Sequence, residues 1–133
     1  MGTFKGVVED GDDLDPMTTD DVSTLSHIQA LLGAIASGQE PGEQIVLLSQ
    51  LNLIERASGP ITMLKLAFSA SPRLLLKQAD GPIKGRVIVL SEREEVGELI
   101  LSVKGGRADT LEFAWWTDVP PTSLPARDEL IIS

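Results

Sequence analysis

The strongest constraint in this sequence is a pair of alternating runs on either side of Gly105-Gly106. Leu99, Leu101 and Val103 share one parity before the glycines, and Leu111, Phe113 and Trp115 share one parity after them. Period-two alternation is the mark of a strand with one face buried, so Glu98–Lys104 and Ala108–Trp116 read as an antiparallel hairpin. In such a pair, facing residues have a constant sum of positions. Both apolar sets reach the same face only if that sum is even, and a slip of one residue would turn one set to the other face. An even sum requires an odd loop. The expectation is a three-residue turn with Gly106 in the left-handed position and a bulge beside it. The same parity buries Trp115 and turns Trp116 away from the core.

A sheet with one buried face needs a covering layer. The first half of the chain supplies it. Val22, Leu25, Ile28, Leu32, Ile35 and Ala36 recur at helical spacing and form one apolar stripe. Thr18 and Asp21 have the spacing of a capping box at its start. Gly38 suits a left-handed cap at its end, and Pro41 blocks continuation. Glu43–Leu51 reads as a second helix, although Ile45-Val46-Leu47-Leu48 alone is also compatible with a strand. After Leu51 come short alternating or apolar runs separated by turn residues: Leu53–Ala57, Ile61–Phe68, Arg73–Lys77, Arg86–Leu90 and Asp128–Ile132. Ser58-Gly59-Pro60 and Asp80-Gly81-Pro82 read as turns, and Glu92–Glu95 as a charged loop. Val119-Pro120-Pro121 to Pro125 fits neither a helix nor a central strand. The predicted fold is therefore α+β, with one or two N-terminal helices packed on an antiparallel meander sheet of about 6–7 strands.

The 133 residues are 42% hydrophobic and include 12 glycines, enough for one cored domain over residues 17–133. With no cysteine in the chain, disulfides, thiolate nucleophiles and Cys-ligated metal centres are excluded. The net charge is −9, and −6 of it falls in the first 21 residues, where Lys5 faces seven acids. Residues 1–16 read as a flexible acidic arm. An acidic chain repels phosphate backbones, so nucleic acid is not an expected partner. Met1–Asp13 lacks the apolar core of a signal peptide, and no run is long enough to cross a membrane. A cytoplasmic protein that does not bind membranes is expected.

Several segments resemble a group of small uncharacterised bacterial proteins, common in actinobacteria. They are Glu98–Arg107, Leu111-Glu112-Phe113 and Asp118-Val119-Pro120-Pro121, with Pro41-Gly42-Glu43, Gln50-Leu51 and Gly59-Pro60 upstream. The resemblance spans about residues 41–132 and implies a shared fold without an activity. Members of that group often carry a Cys-rich segment where this chain has Ala57-Ser58-Gly59-Pro60, so no metal or redox role follows.

No residue set carries a catalytic, cofactor or metal signature. His27 is the only histidine and sits beside the apolar stripe of the first helix, where a boundary residue belongs. A triad through Ser23, Thr24 or Ser71 lacks any nucleophile-elbow pattern. The acidic run from Asp10 resembles a calcium loop, but Leu14, Asp15 and Asp21 stand where an EF-hand requires an oxygen ligand, Gly and Glu. Glu98 and Glu112 fall on the outer sheet face. Gly105-Gly106 lacks phosphate-loop spacing. The feature with most promise is Trp116 near Asp118, Pro120 and Pro121, because an outward indole suits an interaction surface. Leu74-Leu75-Leu76 and Ile131-Ile132 need cover on both faces or pairing with a second chain, which makes a homodimer possible. The leading expectation is a non-enzymatic domain that binds another protein or itself, with an immunity- or antitoxin-like protein as a specific form. The alternative is a small-molecule module with its pocket between helices and sheet, and an enzyme is the least favoured class.

Overall fold

The structure, a computed structural model, describes residues 17–18 and 22–133. The acidic arm expected over 1–16 lies outside the described residues, as does Asp21. The described chain is α+β, with two helices packed on an antiparallel sheet.

Helix α1 (Val22–Ser37) and helix α2 (Pro41–Leu51) come first. The stripe of α1 is buried through Ile28, Leu32, Ile35 and Ala36, joined by Leu31. Each large side chain buried to that degree contributes roughly 1.5–3 kcal/mol. Thr18 does not open this helix: it lies in β1 (Met17–Thr18) and pairs with Ser58. Gly38 does not take the left-handed conformation expected of it, because the five glycines with positive φ are all elsewhere. Its lack of a side chain serves a close approach instead. A Cβ at Gly38 would sit 2.5 Å from Ile132 Cγ2 on the last strand. Pro41 occupies the first turn of α2, where a missing N–H costs nothing.

The strands are β2 (Ile54–Gly59), β3 (Met63–Phe68), β4 (Gly81–Pro82), β5 (Val87–Ser91), β6 (Glu94–Lys104), β7 (Arg107–Trp115) and β8 (Leu130–Ile132), with a short 3-10 turn at Arg127–Glu129 before β8. The sheet order is β1-β2-β3-β7-β6-β5-β8, and β4 pairs with β6 beyond the end of β5. Two meanders, β1–β3 and β5–β7, thus join through β3 and β7. Asp80-Gly81-Pro82 contributes a strand as well as a turn. Arg73–Lys77 forms no strand: Leu74 and Leu75 are exposed, while Leu76 is buried and donates its N–H to the Gly106 carbonyl. The segment closes over the hairpin tip instead of entering the sheet.

Registers show how the apolar rows align. Leu64, Leu111 and Leu101 face one another across β3, β7 and β6, and Phe113, Leu99, Val87 and Ile132 form the next row. All point toward α1 and α2. The even register of the hairpin is as expected over most of its length, but its origin differs. Lys104 pairs with Arg107 across a two-residue turn in which Gly105 and Gly106 have φ of 60° and 79°. Positive φ at both positions is the type I′ geometry that matches strand twist. That turn alone gives odd register. A bulge between Ser102 and Val103 leaves Asp109 as an extra residue on β7 and restores the even one.

Helix α2 is tied to this hairpin by a residue that the hydrophobic pattern does not reveal. Gln50 is 0% exposed. Its Nε2 donates to the carbonyls of Leu74 (3.0 Å) and Gly106 (2.9 Å), and its Oε1 accepts the Ala108 N–H (3.0 Å). Both donor hydrogens and one acceptor lone pair are used, as burial requires.

Candidate interaction surface at the tryptophan end

One end of the sheet collects the end of β7, the β5–β6 turn, the β2–β3 turn and the tail leading to β8. Trp115 faces Gly97. A Cβ at Gly97 would lie 2.4 Å from the Ala114 carbonyl oxygen and 3.0 Å from the Phe113 ring, so glycine is what lets the two strands run this closely. Trp115 has the parity of Leu111 and Phe113 but is 39% exposed. This corrects the expectation that it is buried: the covered face continues past the cover that the helices provide. Trp116 extends the ladder by one bond, its N–H meeting the Val96 carbonyl at 2.8 Å, and its side chain is 50% exposed. The two indoles lie on opposite faces of the sheet at the same end.

The tail beyond them follows from its prolines and a few polar contacts. Thr117 Oγ1 donates to the Val119 carbonyl, turning the chain into Pro120-Pro121. Val119 is left 73% exposed. Leu124 and Pro125 are buried, and His27 Nε2 donates to the Pro125 carbonyl at 2.7 Å. The only histidine of the chain therefore fastens the tail to α1. Glu129 Oε1 accepts the Ala126 N–H and closes the 3-10 turn. Between tail and sheet lies an open cleft of about 260 Å³, lined by Phe113, Trp115, Val119, Pro121, Leu124 and Glu129 among others. Of the residues singled out in the sequence, Trp116, Asp118 and Pro120 are exposed and Pro121 is half-buried, all at this end.

The sheet face opposite the helices is uncovered among the described residues. Met63, Glu112 and Ile100 form one row across it, and Ala114, Glu98, Ile88 and Ile131 the next. Glu98 and Glu112 share this face as expected. Arg86 meets Glu98 through two hydrogen bonds of 3.3 Å, and the Glu98 carboxylate, through those bonds and its charge, holds the guanidinium above its ordinary pKa. Lys65 pairs with Asp109 of the bulge, not with either glutamate. Glu112 has no ion pair among the described residues.

Charge is distributed unequally along the strands. At the tryptophan end, Glu92, Glu94, Glu95, Asp118, Asp128 and Glu129 face only Arg93 and Arg127. Met17 pairs with Gly59 beside the β2–β3 turn of this end. At the other end, Lys104 and Arg107 flank the hairpin tip, beside Arg73 and Lys77 of the loop that closes over it and Lys65 of β3, against Asp80, Asp109 and the buried Glu43. Reading hydrophobic pattern alone misses this polarity. It emerges only when the turns are assigned to ends.

A second polar cluster lies at the start of α2. Glu43 is 6% exposed and accepts the Lys77 N–H at 2.9 Å; nearby, Gln39, Gln78 and Lys84 exchange hydrogen bonds. These bonds join the 69–86 loop to the helix layer. Among the described residues no three acidic or histidine side chains converge as a metal site, and no helix is long and apolar enough to cross a membrane. No family model, curated protein or solved structure matches the chain.

Proposed function

We propose that this chain is a non-enzymatic, cytoplasmic protein-interaction domain whose tryptophan end is the contact surface. The observation that carries this reading is that Trp115, Trp116 and Val119, all substantially exposed, share one end of the sheet with a majority of acids. Large aromatic side chains that stay out of the core are characteristic anchors of protein interfaces. Acidic groups around an apolar centre select and steer a basic partner, adding rate and specificity more than affinity. A basic protein masked by this surface, as in an immunity or antitoxin pair, is one form the reading takes.

The alternative, a small-molecule pocket between helices and sheet, gains little support. Ile28, Leu31, Leu32, Leu47, Leu101 and Leu111 are each at most 1% exposed across that interface. A cleft does open where the end of α1 meets the sheet edge, lined by Ile35, Gly38, Val87, Leu99 and Ile132, but at about 260 Å³ it, like the one beside Trp115, falls below the usual range of about 300–1,000 Å³ for ligand pockets.

The test is capture from lysate of the source organism with tagged wild-type protein and a Trp116→Ala variant, read by quantitative mass spectrometry. A stoichiometric partner retained by wild type and depleted by the variant is the expected result. Equal recovery on both baits would refute the assignment of the surface.

A further inference from the structure

The two ends of the hairpin are complementary to each other. The β6–β7 tip is packed under Leu75 and Leu76 at Gly106, and Asp80 Oδ1 accepts the Gly105 N–H, so what it offers a partner is the exposed Lys104 and Arg107 on either side. The opposite end offers exposed indoles, an open cleft lined by Trp115 and one acid, Glu129, and further exposed acids at Glu92, Glu94, Glu95, Asp118 and Asp128. These ends are separated by the length of the hairpin, about 30 Å at roughly 3.3 Å per strand residue, so one molecule cannot satisfy itself. We propose that the tryptophan end takes the Lys104–Arg107 tip of a second copy, so that the protein associates head to tail.

This inference rests on the reading of the tryptophan end as a contact surface and names its partner. Charge decides the geometry. A two-fold dimer through the tryptophan ends would oppose acid to acid, and one through the tips would oppose base to base. A head-to-tail contact brings opposite charges together; made once per molecule it builds rings or open chains, and made twice between antiparallel copies it closes a two-fold pair. Arg107 and Lys104 have the chemistry to sit on the face of Trp116, where a cation is drawn by the ring quadrupole, while Glu94 and Glu95 at the start of β6 supply the countercharge. The net charge of −9 works against association at long range. Physiological salt screens it beyond about 8 Å and leaves close contacts less affected.

Sedimentation velocity over a concentration series, with full-length protein at low and high salt, reads this directly. Wild type is expected to gain mass with concentration and to lose that gain in high salt. Lys104→Glu/Arg107→Glu should be monomeric, and so should Trp116→Ala. Glu94→Lys/Glu95→Lys, confined to exposed positions at the start of β6, repeats the second test without touching the core, and circular dichroism checks the fold of each. The tip variant mixed with either tryptophan-end variant should give a one-to-one complex and nothing larger, because each retains the surface the other lacks. A wild type that stays monomeric at every concentration overturns the proposal, as does a dimer whose mass ignores salt and all these changes. If wild type is monomeric yet captures a lysate partner that Trp116→Ala loses, head-to-tail association fails and the contact surface stands.

Discussion

Gln50→Leu isolates the polar tie between α2 and the hairpin with almost no change in side-chain size. The substitution removes the acceptor of the Ala108 N–H and the donors to the Leu74 and Gly106 carbonyls. These losses are unequal. Gly106 keeps a second partner, the Leu76 N–H at 2.8 Å, and the Leu74 carbonyl is only partly buried. The Ala108 N–H is buried on the bulged strand and is left without an acceptor, which costs about 1–3 kcal/mol. With a smaller share from Leu74, and an offset from the more apolar side chain, the net loss is about 2–3 kcal/mol. Against a domain stability of about 5–15 kcal/mol, this is a large fraction. Urea unfolding followed by far-ultraviolet circular dichroism should show a lower midpoint at unchanged slope, and amide exchange at Ala108 should accelerate. A variant within about 0.5 kcal/mol of wild type, the range of ordinary surface substitutions, would refute the argument that Gln50 is a buried, fully used amide.

Other perturbations have opposite expected signs. Gly33 lies inside α1 with nothing within 4 Å of the place an alanine methyl would take, so Gly33→Ala should stabilise by about 0.5–1 kcal/mol; Gly38→Ala should destabilise by about 1–3 kcal/mol, because its Cβ meets Ile132 and pushes β8 off the helix layer. Thermal denaturation of the pair checks both signs. Glu92 and Arg93 close the β5–β6 turn with φ of 51° and 71°, a conformation that costs non-glycine residues roughly 1–2 kcal/mol each. Replacing them by Asn-Gly should raise stability by about 1 kcal/mol, part of the gain being lost to glycine's freedom in the unfolded chain; an unchanged or lower melting temperature would count against the type I′ assignment. Both tryptophans are partly solvated, so their emission should lie well to the red of a buried indole and be quenched by acrylamide; a blue, unquenched band would mean that the tryptophan end is covered.

Much of the fold is legible in the sequence because hydrophobic periodicity carries it. The α1 stripe and the shared face of Leu101 and Leu111 follow from spacing alone, and burial enforces both. The details that spacing misses share a physical cause. The hairpin parity has two structural solutions, a three-residue loop or a two-residue turn with a bulge at Asp109, and alternation cannot choose between them. Leu74-Leu75-Leu76 has strand composition, yet the edge of β6 beside it is already occupied by β4 and β5, so the segment folds over the tip. Gly38 is a glycine for the sake of Ile132, nearly a hundred residues away, and no local rule reports that contact. Gln50 lies on the buried side of α2 beside Leu47 and Leu51, and its angular position is the signal that points to it. Trp116, Asp118, Pro120 and Pro121 are identifiable from parity and proline content, whereas the exposure of Trp115 depends on where the helical cover stops.

Exposed apolar side chains outside the tryptophan end are Ile45 with Leu48 on α2, Leu74 with Leu75 beside the hairpin tip, and Met63 and Ile131 on the uncovered sheet face. The decisive measurement is quantitative capture with four baits in parallel, namely wild type, Trp116→Ala, Ile45→Ser/Leu48→Ser and Leu74→Ser/Leu75→Ser. The partner recovered by wild type is expected to be lost with Trp116→Ala and kept with both the α2 variant and Leu74→Ser/Leu75→Ser. Loss with either of those two and full recovery with Trp116→Ala would contradict the assignment of the contact surface.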